Sequence, residues 1–185
     1  MKKLILKKPV KTRKRKDILT KDSINPNALI YIIQYYLKQN QTELALKSLK
    51  KLFVNYYKES ITIQLMLNTF NQLSEEETLI QFTEFKSENN AEANYQLNCN
   101  KGLYLKGSEK LDEAIKVFNE LNTIQKFSWN YYQIAIIKNL QGKAEGCLDF
   151  LETTFSLEPE LKEDAKNFPE LQNLKSNPKF IELTK

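Results

Sequence analysis

Side chains that commonly carry enzyme chemistry are scarce in this 185-residue sequence. It has no histidine, so the commonest general base and the commonest transition-metal ligand are both missing. Cys99 and Cys147 stand far apart and form no CxxC pair, and no glycine-rich phosphate loop occurs. Acid–base chemistry would depend on carboxylates alone, and Glu163 and Asp164 have the pattern of an exposed helix face. The sequence therefore predicts that the protein is not an enzyme and has no metal or cofactor site.

The clearest chemical feature is a basic N-terminal tail, assigned to residues 1–22. Residues 1–16 carry nine Lys or Arg and no acid, whereas the rest of the chain carries 19 basic and 23 acidic side chains. Such a run attracts phosphate groups in a salt-dependent way, and it equally suits a membrane surface, a nuclear signal or a solubilising arm. For RNA or DNA, the expected phosphate contacts are Lys7, Lys8, Lys11, Arg13, Lys14, Arg15 and Lys16.

The remaining composition predicts helices. Gly and Pro are rare, at four and five residues, while Leu, Lys, Glu, Gln and Asn are abundant. No apolar run approaches the roughly 18 residues that cross a bilayer, so no integral membrane segment is predicted. The cysteines fall at core positions and suit a reducing compartment. A cytoplasmic location is expected, with a nuclear or organellar one as the alternative.

An internal repeat organises these helices. Short polar turns precede helical segments whose first inward-facing small or apolar residues are Ala45, Leu79, Ala114 and Cys147, spaced 34, 35 and 33 residues apart. An amphipathic stretch precedes each of these segments, as in 25–39, where Leu29, Ile32, Ile33 and Tyr36 share one helical face. The chain therefore reads as four helical hairpins, within 26–59, 60–92, 93–127 and 128–161.

These features resemble the tetratricopeptide repeat (TPR) family, whose unit has 34 residues. The best match lies in 128–161, where the characteristic positions hold Tyr131, Ile134, Ala135, Gly142, Cys147, Leu151 and Pro159. The third unit follows with Gln96, Cys99, Asn100, Gly107, Ala114 and Phe118, the first has Asn40 at its turn, and the second is degenerate. The resemblance covers about three-quarters of the chain. It implies an all-α, right-handed superhelical array of about four hairpins over residues 23–161.

A second resemblance concerns residues 162–185, which are similar to the element that closes many bacterial TPR arrays. It implies a C-terminal helical cap that covers the apolar face left open by the last hairpin. The residues expected to cover it are Phe168, Leu171, Leu174, Phe180 and Ile181.

Two glycines lie close together at 142 and 146. Gly142 is expected at the helix-ending turn, where a positive φ favours glycine or asparagine, as at Asn40. Two interpretations of Gly146 stay open. It lets a neighbouring helix approach closely, or it is an exposed and mildly destabilising residue.

The resemblance implies a ligand groove lined by the first helix of each hairpin. The expected residues are rich in amides and aromatic rings, which suit a peptide or a partner helix. They are Asn27, Tyr31, Gln34, Lys38, Gln64, Asn68, Asn71, Asn94, Asn98, Lys101, Tyr104, Trp129, Tyr132, Gln133 and Asn139.

The function expected from the sequence is a non-enzymatic scaffold or adaptor that binds another protein. The alternative is a component of a nucleoprotein complex whose tail contacts RNA or DNA. A carboxylate clamp for chaperone tails is disfavoured, because its Lys and Arg positions hold residues such as Ile30 and Gln34. For individual amides, a solvated polar face is an equal alternative, and Trp129 is either an anchor for a ligand or a packing residue.

Overall fold

The computed structural model describes residues 24–185, and this part of the chain is helical without strands. It forms ten α-helices and one 3-10 helix, numbered here in chain order. They are α1 (Pro26–Lys38), α2 (Thr42–Tyr56), α3 (Ser60–Phe70), α4 (Glu75–Glu84), α5 (Ala91–Gly107), α6 (Leu111–Ile124), α7 (Ser128–Leu140), α8 (Ala144–Leu157), α9 (Leu161–Asn167), the 3-10 helix (Pro169–Leu174) and α10 (Pro178–Leu183). The helices α1 to α8 occur in the order expected of four hairpins, and α5 begins at Ala91, two residues before the boundary assigned to the third repeat unit.

The chain divides into two compact units. The first unit ends at Leu97 and the second begins at Asn98, so the boundary falls inside α5. In the first unit α1 packs against α2 and α3, and α2 packs against α3. Its core includes four aromatic rings that pack edge to face or tilted, with centroids 5.0 to 6.1 Å apart. These belong to Phe53, Phe70, Phe82 and Phe85.

In the second unit the helices pack around one apolar cluster. The strongest helix pairs are α7 with α8 and α6 with α7. The C-terminal segment joins them, because the 3-10 helix packs on α7 and α10 packs on α8. The buried side chains of the cluster are Tyr132, Ala135, Ile136, Cys147, Leu148, Leu151, Phe155, Ala165, Leu171, Leu174 and Phe180.

The C-terminal segment contributes four of those buried residues. Leu171, Leu174 and Phe180, which the sequence assigned to the covering face, are at most 4% exposed, and Phe168 packs against the cluster at its edge. The assignment of Ile181 to that face was wrong, because its side chain is 45% exposed. Phe180 and Ile181 are neighbours on α10, and a helix turns by about 100° per residue, so only one of them faces the core.

Three of the four hairpin turns share one geometry. A residue in the left-handed region ends the first helix at Asn40 (φ 54°), Glu109 (φ 61°) and Gly142 (φ 74°). At each turn its N–H donates three residues back and the next N–H donates five residues back, for example Gly142 to Asn139 at 2.8 Å and Lys143 to Lys138 at 2.9 Å. This arrangement satisfies the carbonyls that a helix end leaves unpaired.

The sequence located two of these turns correctly and misplaced the third. Gly142 and Asn40 adopt the positive φ expected of them. Gly107 does not, because α5 continues through it and the left-handed residue is Glu109. The turn of the degenerate second hairpin has a different geometry, in which the following helix is capped at its N-terminus. Ser74 caps α4 through a capping box with Glu77, whose carboxylate accepts the Ser74 N–H at 2.8 Å.

The close approach proposed for Gly146 occurs at another glycine. A Cβ on Gly146 would lie 3.7 Å from the Lys138 side chain, an ordinary contact, so no neighbouring helix requires the glycine. A Cβ on Gly102 would lie only 2.7 Å from the Phe118 ring, which is fully buried. The structure therefore favours the alternative interpretation of Gly146 and shows that α5 and α6 meet at Gly102.

This difference predicts opposite effects of the same substitution. Gly146→Ala is expected to stabilise the protein by about 0.5–1 kcal/mol, because alanine favours the helix and has room. Gly102→Ala is expected to destabilise it by about 1–3 kcal/mol, because the buried ring must move. Urea denaturation followed by circular dichroism measures both. Equal effects of the two substitutions would contradict the assignment.

Candidate functional site

A surface groove in the first unit contains four of the predicted binding residues. It lies between α1 and α3, has a volume of about 520 Å³, and is here called the amide groove. Its lining combines four amide side chains, two leucines and one lysine. The residues are Gln34, Leu37, Lys38, Leu65, Asn68, Asn71 and Gln72, of which the sequence predicted Gln34, Lys38, Asn68 and Asn71.

On one side of the groove, α1 is held by a cap at its N-terminus and by burial of the face opposite the groove. Asn25 caps it by accepting the Ala28 N–H at 3.1 Å, and Pro26 occupies its first turn. Leu29 and Ile33 bury its opposite face. Gln34 and Lys38 are one helical turn apart, so both exposed side chains point to the same side.

On the other side, α3 presents amides above an apolar floor. Leu65 is only 3% exposed and forms part of that floor, whereas Asn68, Asn71 and Gln72 are exposed. Gln64 donates to the Asn68 oxygen at 3.0 Å. This hydrogen bond orients the Asn68 amide so that its NH₂ group points away from Gln64. The groove therefore offers donors and acceptors at the surface in a partly ordered arrangement.

The other predicted residues of the first unit lie outside this lining. Gln64 is exposed beside it, and Asn27 and Tyr31 are partly exposed on α1. Asn94 already has an internal role. Its side chain donates to the Ser87 carbonyl and accepts the Ser87 N–H, both at 2.7 Å, so it tethers the loop before α5.

In the second unit, three predicted residues are not at the surface. Tyr132 is fully buried, Gln133 is 1% exposed and Asn139 is 8% exposed. Tyr132 lies in the apolar cluster, and burial raises its pKa, with the nearby Asp164 adding to the rise. Their assignment to a ligand-contacting surface was therefore wrong. Helix α7 is buried on nearly every side because α6, α8 and the 3-10 helix all pack on it.

The remaining predicted residues of the second unit are partly exposed, and these are Asn98, Lys101, Tyr104 and Trp129. Trp129 packs against the apolar cluster, with its ring centroid 5.7 Å from that of Tyr132. Tyr132 in turn makes an edge contact with Phe168 at 5.5 Å. The observed contacts of Trp129 are thus those of a packing residue.

A polar network that the sequence did not reveal joins α5, α7 and the 3-10 helix. The Lys106 ammonium donates to Gln133 at 3.1 Å and lies 3.8 Å from the Glu170 carboxylate. Asn139 donates to the Glu170 carbonyl at 2.6 Å and exchanges hydrogen bonds with Asn173. Burial lowers the pKa of Lys106, and Glu170 opposes that shift. These partners are far apart in sequence, so no local pattern could have paired them.

The two thiols are buried within the part of the chain described. Burial raises the pKa of Cys99 to about 11 and that of Cys147 to about 12, so both stay protonated at neutral pH. This confirms the expected core positions. Residues 24–185 contain no group of three or more acidic or thiol side chains placed to hold a metal ion. Across the same residues, no helix is both long and apolar enough to cross a membrane.

The basic tail lies outside the described residues, so the structure does not test the predicted contacts of Lys7 to Lys16.

Comparison with known proteins identifies the fold. No family model and no curated protein matches the sequence. Among solved structures, the chain is similar to a thermophilic TPR protein from Thermus thermophilus, with 14% sequence identity and a TM-score of 0.51. The similarity covers 87% of this chain and 89% of the thermophilic protein. With its repeated hairpins and shared turns, the chain has the fold of a TPR-like helical repeat protein.

Proposed function

We propose that the protein is a non-enzymatic scaffold that binds an extended peptide segment of another protein in the amide groove. The observation that carries the proposal is the lining itself, which places four amides around a leucine floor. A primary amide offers a donor and an acceptor together, as the peptide backbone does. The groove volume falls within the usual range of ligand clefts.

An extended segment suits this lining better than a partner helix does. The backbone N–H and C=O groups of a helix are paired internally, so they cannot use the amides of a groove. An extended chain has both groups free and needs partners when it leaves water. The alternation of side chains along such a chain also lets apolar residues face Leu37 and Leu65 while polar ones face outward.

The test is a selection of random peptides displayed on phage against the intact protein. Gln34→Ala combined with Asn68→Ala is expected to weaken the enriched peptides about tenfold or more, because each lost hydrogen bond contributes about 1 kcal/mol. Isothermal titration calorimetry with the synthetic peptide measures the change. The melting temperature should stay near the wild-type value, since both side chains are exposed.

The matched control removes two exposed amides elsewhere, by Asn55→Ala combined with Asn119→Ala. This variant is expected to bind the peptide as the wild type does. Equal weakening by the groove variant and the control would show that the amide groove is not the binding surface, and so would an absence of weakening in both.

The nucleoprotein alternative stays a prediction from the sequence. It depends on the basic tail, and none of the described residues bears on it. A cytoplasmic location is likewise part of this proposal, in keeping with two free and buried thiols.

A further inference from the structure

The amide groove carries a single charge. Among the described residues 24–185, Lys38 is the only charged residue in its lining, and no Asp or Glu of that range lines it. The side chain is exposed in the last turn of α1. Lys38 has no acidic partner within 4.0 Å among residues 24–185.

A second groove in the same unit provides a contrast. It lies between α2 and α4, and its lining contains Lys47 and Lys50 together with Glu43 and Glu84. Both signs of charge are thus present there, and a ligand gains little by carrying either sign. In the amide groove, an acidic ligand finds an attractive charge and no repulsive one.

The apolar part of the lining lies next to that charge. Leu37 precedes Lys38 on α1 and is half-buried, and Leu65 is 3% exposed. A segment that places an acidic side chain at Lys38 therefore has apolar surface beside it. In an extended chain residues two apart face the same side, so one segment can supply both contacts.

We propose that the amide groove selects extended peptides with an Asp or Glu whose carboxylate binds Lys38, and with an apolar residue beside it on Leu37 and Leu65. The inference rests on the proposed function and adds the chemical class of the partner. Lys38 is then a specificity residue, and the amides bind the backbone of any sequence.

The expected effect follows from the exposure of the site. Ion pairs at exposed positions are weak, so loss of the Lys38 contact is expected to change affinity by about two- to fivefold. The contribution should shrink as salt is raised, because exposed charges are screened. Reversal of the charge should have a larger effect on which peptides are chosen than on how tightly the best ones bind.

The experiment runs the random-peptide selection in parallel on the intact wild type and on Lys38→Glu. The wild type is expected to enrich peptides with Asp or Glu at one fixed position next to an apolar residue. Lys38→Glu is expected to lose that preference or to replace it with Lys or Arg. The basic run 1–16 is identical in both proteins, so any general attraction to it cancels in the comparison.

Two controls make the result specific. Lys47→Glu reverses an exposed lysine of the other groove and is expected to keep the wild-type preference. Replacement of the acidic residue in the enriched peptide by its amide is expected to weaken binding to the wild type about two- to fivefold and to leave binding to Lys38→Glu unweakened.

The outcomes separate this inference from the proposed function. Peptides enriched without an acidic preference, or with one that Lys38→Glu leaves unchanged, would overturn the inference and leave the peptide groove standing. If neither protein enriches any peptide, both are overturned.

Discussion

Ending the chain at Pro159 is expected to abolish the cooperative unfolding of the second unit. The deletion removes Leu171, Leu174 and Phe180 from the apolar cluster, where each is at most 4% exposed. Full burial of a Leu or Phe contributes about 1.5–3 kcal/mol, so the three together contribute about 5–9 kcal/mol. That sum is comparable with the whole stability of an ordinary domain.

Removal of the C-terminal segment should also uncover the polar groups of α7 that it shields from water. Asn139 and Gln133 on α7 lose their shielding, and Asn139 loses its bonds to Glu170 and Asn173. Part of the free energy lost with these hydrogen bonds is recovered, because the uncovered polar groups of α7 then bond to water. The net effect is expected to be exposed apolar surface and aggregation of the truncated protein.

Trp129 makes the measurement simple, since it is the only tryptophan and packs against the cluster. In the truncated protein its emission should shift to the red under native conditions, and its urea transition should disappear. Ile181→Ala is the control, because that side chain is 45% exposed and its loss should change stability by less than about 0.5 kcal/mol. A truncated protein with a wild-type transition would refute the covering role of residues 162–185.

Tyr132→Ala is expected to destabilise the second unit by about 3–5 kcal/mol, as removal of a fully buried aromatic side chain does. The ring contacts Trp129 and Phe168, with centroids 5.7 and 5.5 Å away. Tyr132→Phe keeps the ring and should cost less than about 1.5 kcal/mol. Urea denaturation of the two variants measures the difference. If the Tyr132→Ala protein has wild-type stability and weakened peptide binding, Tyr132 belongs to the ligand-binding surface and not to the core.

The same residue predicts a pH dependence. Burial raises the pKa of Tyr132 above the ordinary value of about 10, so the folded state holds the phenol proton more tightly than the unfolded state does. The unfolded chain therefore binds fewer protons above pH 10, and stability falls as the pH rises there. The wild type should lose more stability than Tyr132→Phe over that range, and equal losses would show that the phenol is not buried.

The sequence predicted the helices and turns well because their signals are local. Helical periodicity identified α1 to α8, and the turn residues Asn40 and Gly142 have the positive φ expected of them. The positive φ of Glu109 was not predicted, because glutamate rarely ends a helix in this way. Gly107, two residues earlier, was predicted as the turn residue instead. Gly102 was missed because its close contact with Phe118 spans two helices and leaves no trace in the local pattern.

The candidate site was only partly predictable for a related reason. Positions carried over from a repeat pattern identify which helix face is available, and this located Gln34, Lys38 and Asn68. They do not reveal what covers that face. Tyr132 and Gln133 occupy comparable positions on α7, yet the 3-10 helix and the cluster enclose them. Gln72 was left out of the predicted site because it follows the end of α3, where the repeat pattern is degenerate.

The central claim is that the amide groove binds peptide, and leucine methyl NMR tests it most directly. In a titration with the enriched peptide, the methyl signals of Leu37 and Leu65 are expected to shift. The signals of Leu44, Leu140 and Leu157, which are exposed but outside the groove, are expected to stay in place. Shifts confined to those three leucines, with Leu37 and Leu65 unchanged, would contradict the account and place the peptide elsewhere.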